Sequence, residues 1–323
     1  MGGEMTTNTV PLDGQYDYLI YVGAIERRGY KVITDLLESK RPNSAKKAYF
    51  VLVTTGGDAD AAYRIARALG HYYPEDVRLF VPDICKSAGT LLAIGAKELI
   101  ISDRGELGPL DVQFAKKDEL FEMSSGLDVV KSLNVLKDEV YLAFREYLLD
   151  MRLGGGIGTK MASELASEMA CGFVSPIVGQ IDPLRLGEHQ RAVFVATEYG
   201  RRLREKFQNI SDGGIDALVL SYPSHSFVID RKEAGKLFEN VRAPSGDERS
   251  LEASLRSAGI FDQPSADQPH VFCYNDMVRM STEQNSAESG TTETFEEKDN
   301  EQEDGRNTAA VSRISKSKRG TGT

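Results

Sequence analysis

The N-terminal third of the chain alternates between short apolar runs and amphipathic segments, and this alternation restricts the possible folds more than any other feature. The apolar runs are typical of strands and lie at residues 16–24, 48–55, 77–81 and 98–102. The segments between them have the apolar spacing of helices and lie at residues 28–40, 58–69 and 87–96. Strands and helices that alternate in this way form right-handed crossovers and a mainly parallel sheet. The sequence therefore predicts an α/β fold.

Helical patterns dominate the chain after these strand-like runs. Their spacing predicts long helices at residues 127–151 and 185–207, and a short helix at 160–169 that is followed by a loop at 173–183. The last part of the chain is rich in Ser, Asp, Glu and Gly. We expect a flexible N-terminus at 1–15, one main domain at 16–243, a loosely structured extension at 244–285 with one small ordered element near Val271–Met280, and a disordered charged tail at 286–323.

Composition excludes several classes of partner. The net charge of -10 over 323 residues argues against binding to nucleic acid or to an anionic membrane surface. No apolar run approaches the roughly 18 residues that a membrane-spanning helix needs. The three cysteines, Cys85, Cys171 and Cys273, have neither the pairing of a disulfide framework nor the spacing of metal ligands. We expect a cytoplasmic protein without a metal or a cofactor, because no Gly-rich dinucleotide fingerprint is present either.

Ser87 is the candidate nucleophile. It lies between the strand-like run 77–81 and a helix that begins with small residues. A turn at such a junction exposes the side chain, and the start of the following helix offers free backbone N–H groups. The competing interpretation is structural, because a serine at the start of a helix often serves only as its N-cap.

Gly56 and Gly57 are candidates for the oxyanion hole that a serine nucleophile requires. They follow the second strand-like run and precede a helix, where glycine can adopt a positive φ and turn its N–H group towards the edge of the sheet. The N–H group of Ala88 is the natural second donor. In a parallel sheet the carboxyl ends of neighbouring strands open on one side, so both turns can face one crevice. The alternative is that the two glycines only form a tight turn.

Five separate motifs follow one another along the chain in the order expected for one family, and together they resemble the serine dehydrogenase proteinase family. They are Thr54-Thr55-Gly56-Gly57-Asp58-Ala59, Lys86-Ser87-Ala88-Gly89-Thr90, Glu106-Leu107-Gly108-Pro109-Leu110-Asp111, Ile181-Asp182-Pro183 with Leu186-Gly187-Glu188, and Tyr222-Pro223-Ser224-His225 before Val228-Ile229-Asp230. That family belongs with the Clp proteases and signal peptide peptidase A in the crotonase-like superfamily. The resemblance covers roughly residues 16–241.

The resemblance implies both a fold and an activity. The fold is a ClpP/crotonase-like spiral of βαβ units with a mainly parallel sheet and a helical C-terminal part. The implied activity is that of a serine peptidase, with Ser87 as the nucleophile and an oxyanion hole formed by Gly56 or Gly57 together with Ala88. The main domain at residues 16–243 would then be the peptidase domain, and assembly into a homo-oligomer is implied as well.

The general base remains open between a histidine and two lysines. The segment 104–113, where a Clp protease carries its histidine, has none in this sequence. Signal peptide peptidases use a lysine that follows the serine at a distance met here by Lys131 and Lys137, although either could simply be a solvated helix residue. His225 lies in a family-like motif and has a side chain suited to proton transfer near neutral pH, although it too could be structural. Asp111 or Asp230 could orient it.

Three functions are therefore open. The first is an ATP-independent serine peptidase that acts on peptides or proteins. The second is a crotonase-type acyl-thioester enzyme, which would use the same N–H donors and would not need Ser87. The third is a catalytically inactive oligomeric scaffold of the same fold. The fold alone does not choose among them, because function depends on the site.

Overall fold

The computed structural model describes residues 13–40, 45–110, 113–115, 123–262 and 268–280. At residues 113–115, 123–132, 185 and 189 only the backbone is described. The predicted tail at 286–323 and almost all of the predicted flexible N-terminus lie outside the described residues. The described residues up to Met277 form one compact unit, and residues 278–280 belong to a second unit and are helical.

A six-stranded sheet forms the centre of the molecule, with strand order β10-β1-β2-β3-β5-β9. Neighbouring strands are parallel except for β10, which pairs antiparallel with β1. The α/β class and the mainly parallel sheet are thus confirmed. The strands are β1 (Tyr16–Val22), β2 (Lys47–Val53), β3 (Asp76–Val81), β5 (Glu98–Ile101), β9 (Val241–Arg242) and β10 (His270–Cys273).

Two further pairs of short strands stand apart from this sheet. The first pair, β4 (Ile84–Cys85) and β6 (Glu106–Leu107), is parallel. The second pair, β7 (Gln113–Ala115) and β8 (Met123–Ser125), is antiparallel. The sequence did not indicate β4 or β6, because strands of two residues show no periodicity.

Helices connect the strands of the main sheet, as the sequence predicts. They are α1 (Arg27–Lys40), α2 (Ala59–Tyr72) and α3 (Ala88–Ile94). Helix α2 buries the apolar side chains Ala62, Ile65 and Leu69 and exposes its charged ones, and Asp58 caps its start by accepting the N–H of Asp60. All residues of α3 are buried, so this helix lies inside the core.

The helical C-terminal part is also confirmed, with one correction. It contains α4 (Gly126–Leu149), a π-helical turn at Asp150–Gly154, α5 (Thr159–Val178), α6 (Pro183–Phe207), α7 (Gly214–Leu220) and α8 (Arg231–Leu237). The sequence predicts a loop from residue 173, but α5 continues to Val178. Ala162, Ala166, Ala170 and Val174 recur every fourth residue and are buried, so packing maintains the helix through Pro176.

The part of the chain after residue 243 is more regular than the sequence predicts. It contains α9 (Gly246–Ser257), which begins with a capping box formed by Ser245 and Glu248. It also contains β10, which forms an edge of the main sheet. The domain boundaries as such stay a prediction. In the described part of the chain, no helix is both long and apolar enough to cross a bilayer.

Candidate active site

A row of four buried residues from separate segments underlies the candidate site. Thr54 pairs with Cys85, Cys85 with Leu107, and Leu107 with Ile229. Their side chains are at most 2% exposed. The first three segments are parallel and the fourth is antiparallel. Residues that follow the first three members, and residues that precede Ile229, therefore extend towards the same side.

Ser87 is held in a strained backbone conformation on that side of the row. Its φ is +51° and its ψ is -111°, a region that residues other than glycine rarely adopt. Ser87 occupies the N-cap position of α3, but its side chain makes no capping hydrogen bond. The structural interpretation of Ser87 as a helix cap is therefore not supported. Ser87 is half-buried, and backbone strain of this kind clusters at functional sites.

Gly56 and Gly57 lie beside Ser87 and must both be glycine. Their φ values are +115° and +141°. A Cβ atom on Gly56 would lie 2.8 Å from the Cβ of Ser87, and a Cβ atom on Gly57 would lie 2.2 Å from the carbonyl oxygen of Ile25. A side chain at either position would therefore displace the nucleophile or the neighbouring backbone.

The N–H groups of the two glycines have different roles. Gly56 donates its N–H to the hydroxyl of Thr54 over 3.0 Å, so this group is already used inside the turn. The neighbouring backbone bonds run from Ile25 N–H to Gly56 O and from Asp58 N–H to Ile25 O, and neither uses the N–H of Gly57. Ala88 is the first residue of α3, where an N–H has no acceptor within the helix. Gly57 and Ala88 therefore fit an oxyanion hole better than Gly56.

A cavity of about 440 Å³ opens next to Ser87. Gly57, Ala88 and His225 line this cavity. The apolar part of its wall is formed by Leu91, Leu110 and Val195. Val195 belongs to α6. Exposed charged side chains also border the cavity, namely Asp58, Asp60, Glu188 and Arg191.

His225 reaches this cavity through the loop between α7 and α8. The N–H of Phe227 donates to the carbonyl of Ser224 over 3.1 Å, which closes a turn around the histidine. Ile229 and Leu107 then exchange two backbone hydrogen bonds of 3.0 and 2.9 Å, which fix the end of the loop to β6. The fold thus brings His225 and Ser87, which are far apart in sequence, to one cavity.

Of the other residues predicted for the proton transfer or for orienting the base, those whose side chains the structure describes, Lys137 and Asp230, do not line the cavity. Lys137 is exposed on α4 and does not line it. Lys131 lies on the same helix, and its side chain is outside the described atoms. Asp111 is also outside the described residues. The carboxylate of Asp230 accepts the N–H of Glu233 over 2.7 Å and caps α8.

Lys86 is a buried cation beside the nucleophile, and sequence reasoning missed it. Its side chain is 8% exposed, and its Nζ lies 2.8 Å from Oε1 of Glu106. The same ammonium donates to the carbonyl oxygens of Leu107 over 3.2 Å and of Phe227 over 3.1 Å. The sequence feature that could have identified Lys86 is its position between Cys85 and a run of small residues. A lysine that is buried there needs polar or charged partners.

Cys85 is not an alternative nucleophile. Burial raises the pKa of its thiol far above the usual range, although the neighbouring charge of Lys86 acts in the opposite direction. Because the thiolate is the reactive form of cysteine, the protonated thiol behaves as a small apolar core residue. Ser87 is therefore the better candidate of these two neighbouring side chains.

Comparison with known proteins finds a family match over the part of the chain that contains the Ser87 turn. Residues 34–134 match the family described as ClpP-like SDH-type serine proteinases. The resemblance to serine dehydrogenase proteinases is thereby confirmed. The match includes Gly57, Ser87 and Ala88, and it ends before His225. An uncharacterized protein of Methanocaldococcus jannaschii, MJ0137, is 34% identical over 93 residues, which cover 27% of this chain and 32% of that protein. The chain therefore spans about a third of the length of this relative.

Two solved structures show a weaker likeness. The first is a serine-to-alanine mutant of the 1510-N membrane-bound stomatin-specific protease, with 18% identity and a TM-score of 0.29 over 46% of this chain and 67% of that one. The second is a lysine-to-alanine mutant of the same protease in complex with a substrate peptide, with 16% identity and a TM-score of 0.31 over 77% of this chain and 97% of that one. Likeness at this level carries no inference about the site of this chain.

Proposed function

We propose that this protein is an ATP-independent serine peptidase. The observation that carries the proposal is a cavity lined by the strained Ser87 turn together with Gly57, Ala88 and His225. The matched family of serine proteinases supports the same reaction class. Ser87 is the nucleophile, His225 the general base, and the N–H groups of Gly57 and Ala88 stabilise the oxyanion.

The proposed chemistry proceeds through an acyl-enzyme. Ser87 Oγ bonds to the carbonyl carbon of the scissile peptide while its proton passes to the imidazole of His225. The carbonyl oxygen becomes an oxyanion that accepts hydrogen bonds from Gly57 and Ala88. Collapse breaks the C–N bond, and the leaving amine takes the proton from His225. A water molecule then attacks the ester, with the same proton transfers, and releases the acid.

The walls of the cavity support a peptide as the substrate. Leu91, Leu110 and Val195 can bury an apolar side chain next to the scissile bond, while the charged residues face solvent where the rest of a peptide would lie. The homo-oligomeric state and the cytoplasmic location stay part of the proposal. Exposed apolar side chains on α4, α5 and α6, such as Leu142, Phe173 and Phe194, support self-association.

The decisive experiment is labelling with a fluorophosphonate, followed by mass spectrometric mapping of the modified residue. The wild-type protein should be labelled at Ser87 and should hydrolyse a denatured protein substrate without ATP. Ser87→Ala should abolish both activities, and His225→Ala should slow labelling on the order of 10²- to 10⁴-fold, the usual contribution of a general base. Ser257→Ala on α9 is the control and should react at the wild-type rate.

The outcomes also separate the two alternative functions. A wild-type protein that is labelled at another residue, or not at all, would contradict the peptidase proposal. Turnover of an acyl-CoA that survives Ser87→Ala would favour the acyl-thioester enzyme, because that chemistry needs only the two N–H donors. A folded protein with neither labelling nor turnover would favour the scaffold.

A further inference from the structure

We infer that Lys86 is a positioning residue that holds the His225 loop in register with the Ser87 turn. This inference rests on the proposed function, since it assigns Lys86 a role in the reaction of Ser87 and His225. Lys86 precedes the nucleophile directly in the chain, and its ammonium binds the carbonyl of Phe227, two residues beyond the candidate base. One side chain thus joins the two halves of the site.

The hydrogen bonding of Lys86 is complete. A lysine ammonium has three N–H donors. The three acceptors within reach are Oε1 of Glu106 at 2.8 Å, the carbonyl of Leu107 at 3.2 Å and the carbonyl of Phe227 at 3.1 Å. Because a buried cation is stable only with such partners, the carbonyls must stay in place as long as the lysine does. The ammonium therefore fixes the Phe227 peptide relative to β6.

The path of the Lys86 side chain is fixed as well. A Cβ atom on Gly108 would lie 2.5 Å from Cδ of Lys86, so the lysine stem packs directly on the backbone at this glycine. Gly108 is in turn held to α3, because its carbonyl accepts the hydroxyl proton of Thr90 over 2.7 Å. The stem and the ammonium of Lys86 therefore both have defined positions.

Lys86 adds to the backbone contacts that hold this loop. Ile229 and Leu107 exchange two backbone hydrogen bonds at the end of the loop, and Phe227 donates its N–H to the carbonyl of Ser224 within it. Lys86 adds a contact at Phe227, closer to the histidine than the Ile229 pair. Removal of the ammonium should therefore loosen residues 222–229 while the sheet below them stays intact.

The test compares Lys86→Met with Lys40→Met. Lys40 is the matched control because its ammonium also binds a carboxylate, that of Asp276 at 2.9 Å, and its side chain is 14% exposed but does not line the cavity. Hydrogen exchange should speed up on the order of tenfold in residues 222–229 of Lys86→Met and should be unchanged there in Lys40→Met. This measurement does not depend on activity.

The second measurement is fluorophosphonate labelling resolved into a binding constant and a maximal rate. Lys86→Met should lower the maximal rate by about 10- to 100-fold with little change in binding, because the base is misplaced while the cavity remains. Lys40→Met should change neither quantity. A general loss of packing would instead weaken binding and rate together and would speed exchange throughout the chain.

Gly108→Ala keeps the proposal testable if Lys86→Met does not fold. The new methyl group displaces the lysine stem without removing the charge, and Gly235→Ala on α8 is its control because, apart from its chain neighbours and its own helix backbone, no described atom lies within 4 Å of that added Cβ. Unchanged exchange in residues 222–229 would overturn the inference, and so would faster exchange with an unchanged labelling rate. Absence of labelling at Ser87 in the wild-type protein would instead contradict the proposed function, whatever the exchange data show.

Discussion

Ser87 and Gln208 are the non-glycine residues with a positive φ in the described part of the chain, at +51° and +53°. They differ in position, because Gln208 ends α6 on the surface whereas Ser87 lies in the candidate site. A left-handed backbone costs roughly 1–3 kcal/mol for a residue with a side chain. Gln208 can be compared with Ser87 because it also has a positive φ but takes no part in the proposed reaction.

Ser87→Gly should stabilise the protein while it abolishes labelling. Glycine relieves the strained φ, and the greater freedom of the unfolded chain offsets about 0.4–1 kcal/mol of that gain. We therefore expect Ser87→Gly and Gln208→Gly each to raise the free energy of unfolding by about 1 kcal/mol. Urea denaturation measures this change. A loss of stability in Ser87→Gly alone would show that the serine side chain supports the fold.

At this scale the sequence predicts Ser87 but not Lys86. The position of Ser87 follows from local order, since a strand, a turn and a helix succeed one another in the chain. The role of Lys86 depends on Glu106, Leu107 and Phe227, which the fold brings to it from other segments. Gly56 shows the same limit, because its N–H is taken by the hydroxyl of Thr54, a contact that residue types do not reveal.

Among the elements, those with clear periodicity were predicted to within a few residues. Strand β2 and helix α2 are examples, because a buried strand and an amphipathic helix leave different patterns. The row that positions the site has no such pattern, since β4 and β6 contain two residues each. Its members are defined by partners in other segments, and only the assembled sheet brings those partners together.

Helix α9 is joined to the sheet through an ion pair that should depend on pH. Glu248 is 5% exposed and accepts bonds of 2.7 and 2.6 Å from the guanidinium of Arg242 on β9. Burial by itself would raise the pKa of this carboxyl, but the hydrogen bonds from Arg242, Ser245 and Tyr49 lower it to about 2. The ordinary value is 4.5. The folded state therefore holds this carboxylate ionised where the unfolded chain would be protonated.

Glu248→Gln should make the stability of the protein less dependent on pH. The wild-type contribution is fully present above pH 4.5 and is lost as the pH falls from 4.5 towards 2. Glu248→Gln should cost on the order of 3 kcal/mol at pH 7 and much less near pH 2. Urea denaturation across this range measures the effect. Arg242→Met should remove the same dependence, and a parallel offset at every pH would contradict this assignment.

For the whole molecule, the principal departure from the sequence prediction is that the small ordered element expected near residues 271–280 contributes a strand to the edge of the main sheet. The composition after residue 243 indicated a loose extension, because the many short polar residues there leave no regular apolar pattern that a sequence analysis could recognise. Cys273 and Tyr274 are nevertheless 3% and 2% exposed. Asn275 adds two side-chain bonds to β1, accepting the N–H of Tyr18 over 2.8 Å and donating to the carbonyl of Tyr16 over 3.1 Å. Long-range pairing thus determines the order of this segment.

Strand β10 covers the outer edge of β1, which would otherwise be exposed to solvent. All seven residues of β1 are buried, and β10 supplies the partners on its outer edge. A chain that ends at residue 267 lacks this strand and exposes an apolar edge with unpaired N–H and C=O groups. We expect its thermal midpoint to fall by about 10 °C, on the scale of 2–4 °C per kcal/mol for domains of this size. It should also self-associate.

A chain that ends at residue 280 is the control for this truncation. It retains β10 and the bonds of Asn275, so its midpoint should stay within error of that of the full chain. Differential scanning calorimetry measures the midpoints, and light scattering measures association. Equal midpoints for the two truncated chains would contradict a structural role for β10. The sheet would then be stable without the edge strand that completes it.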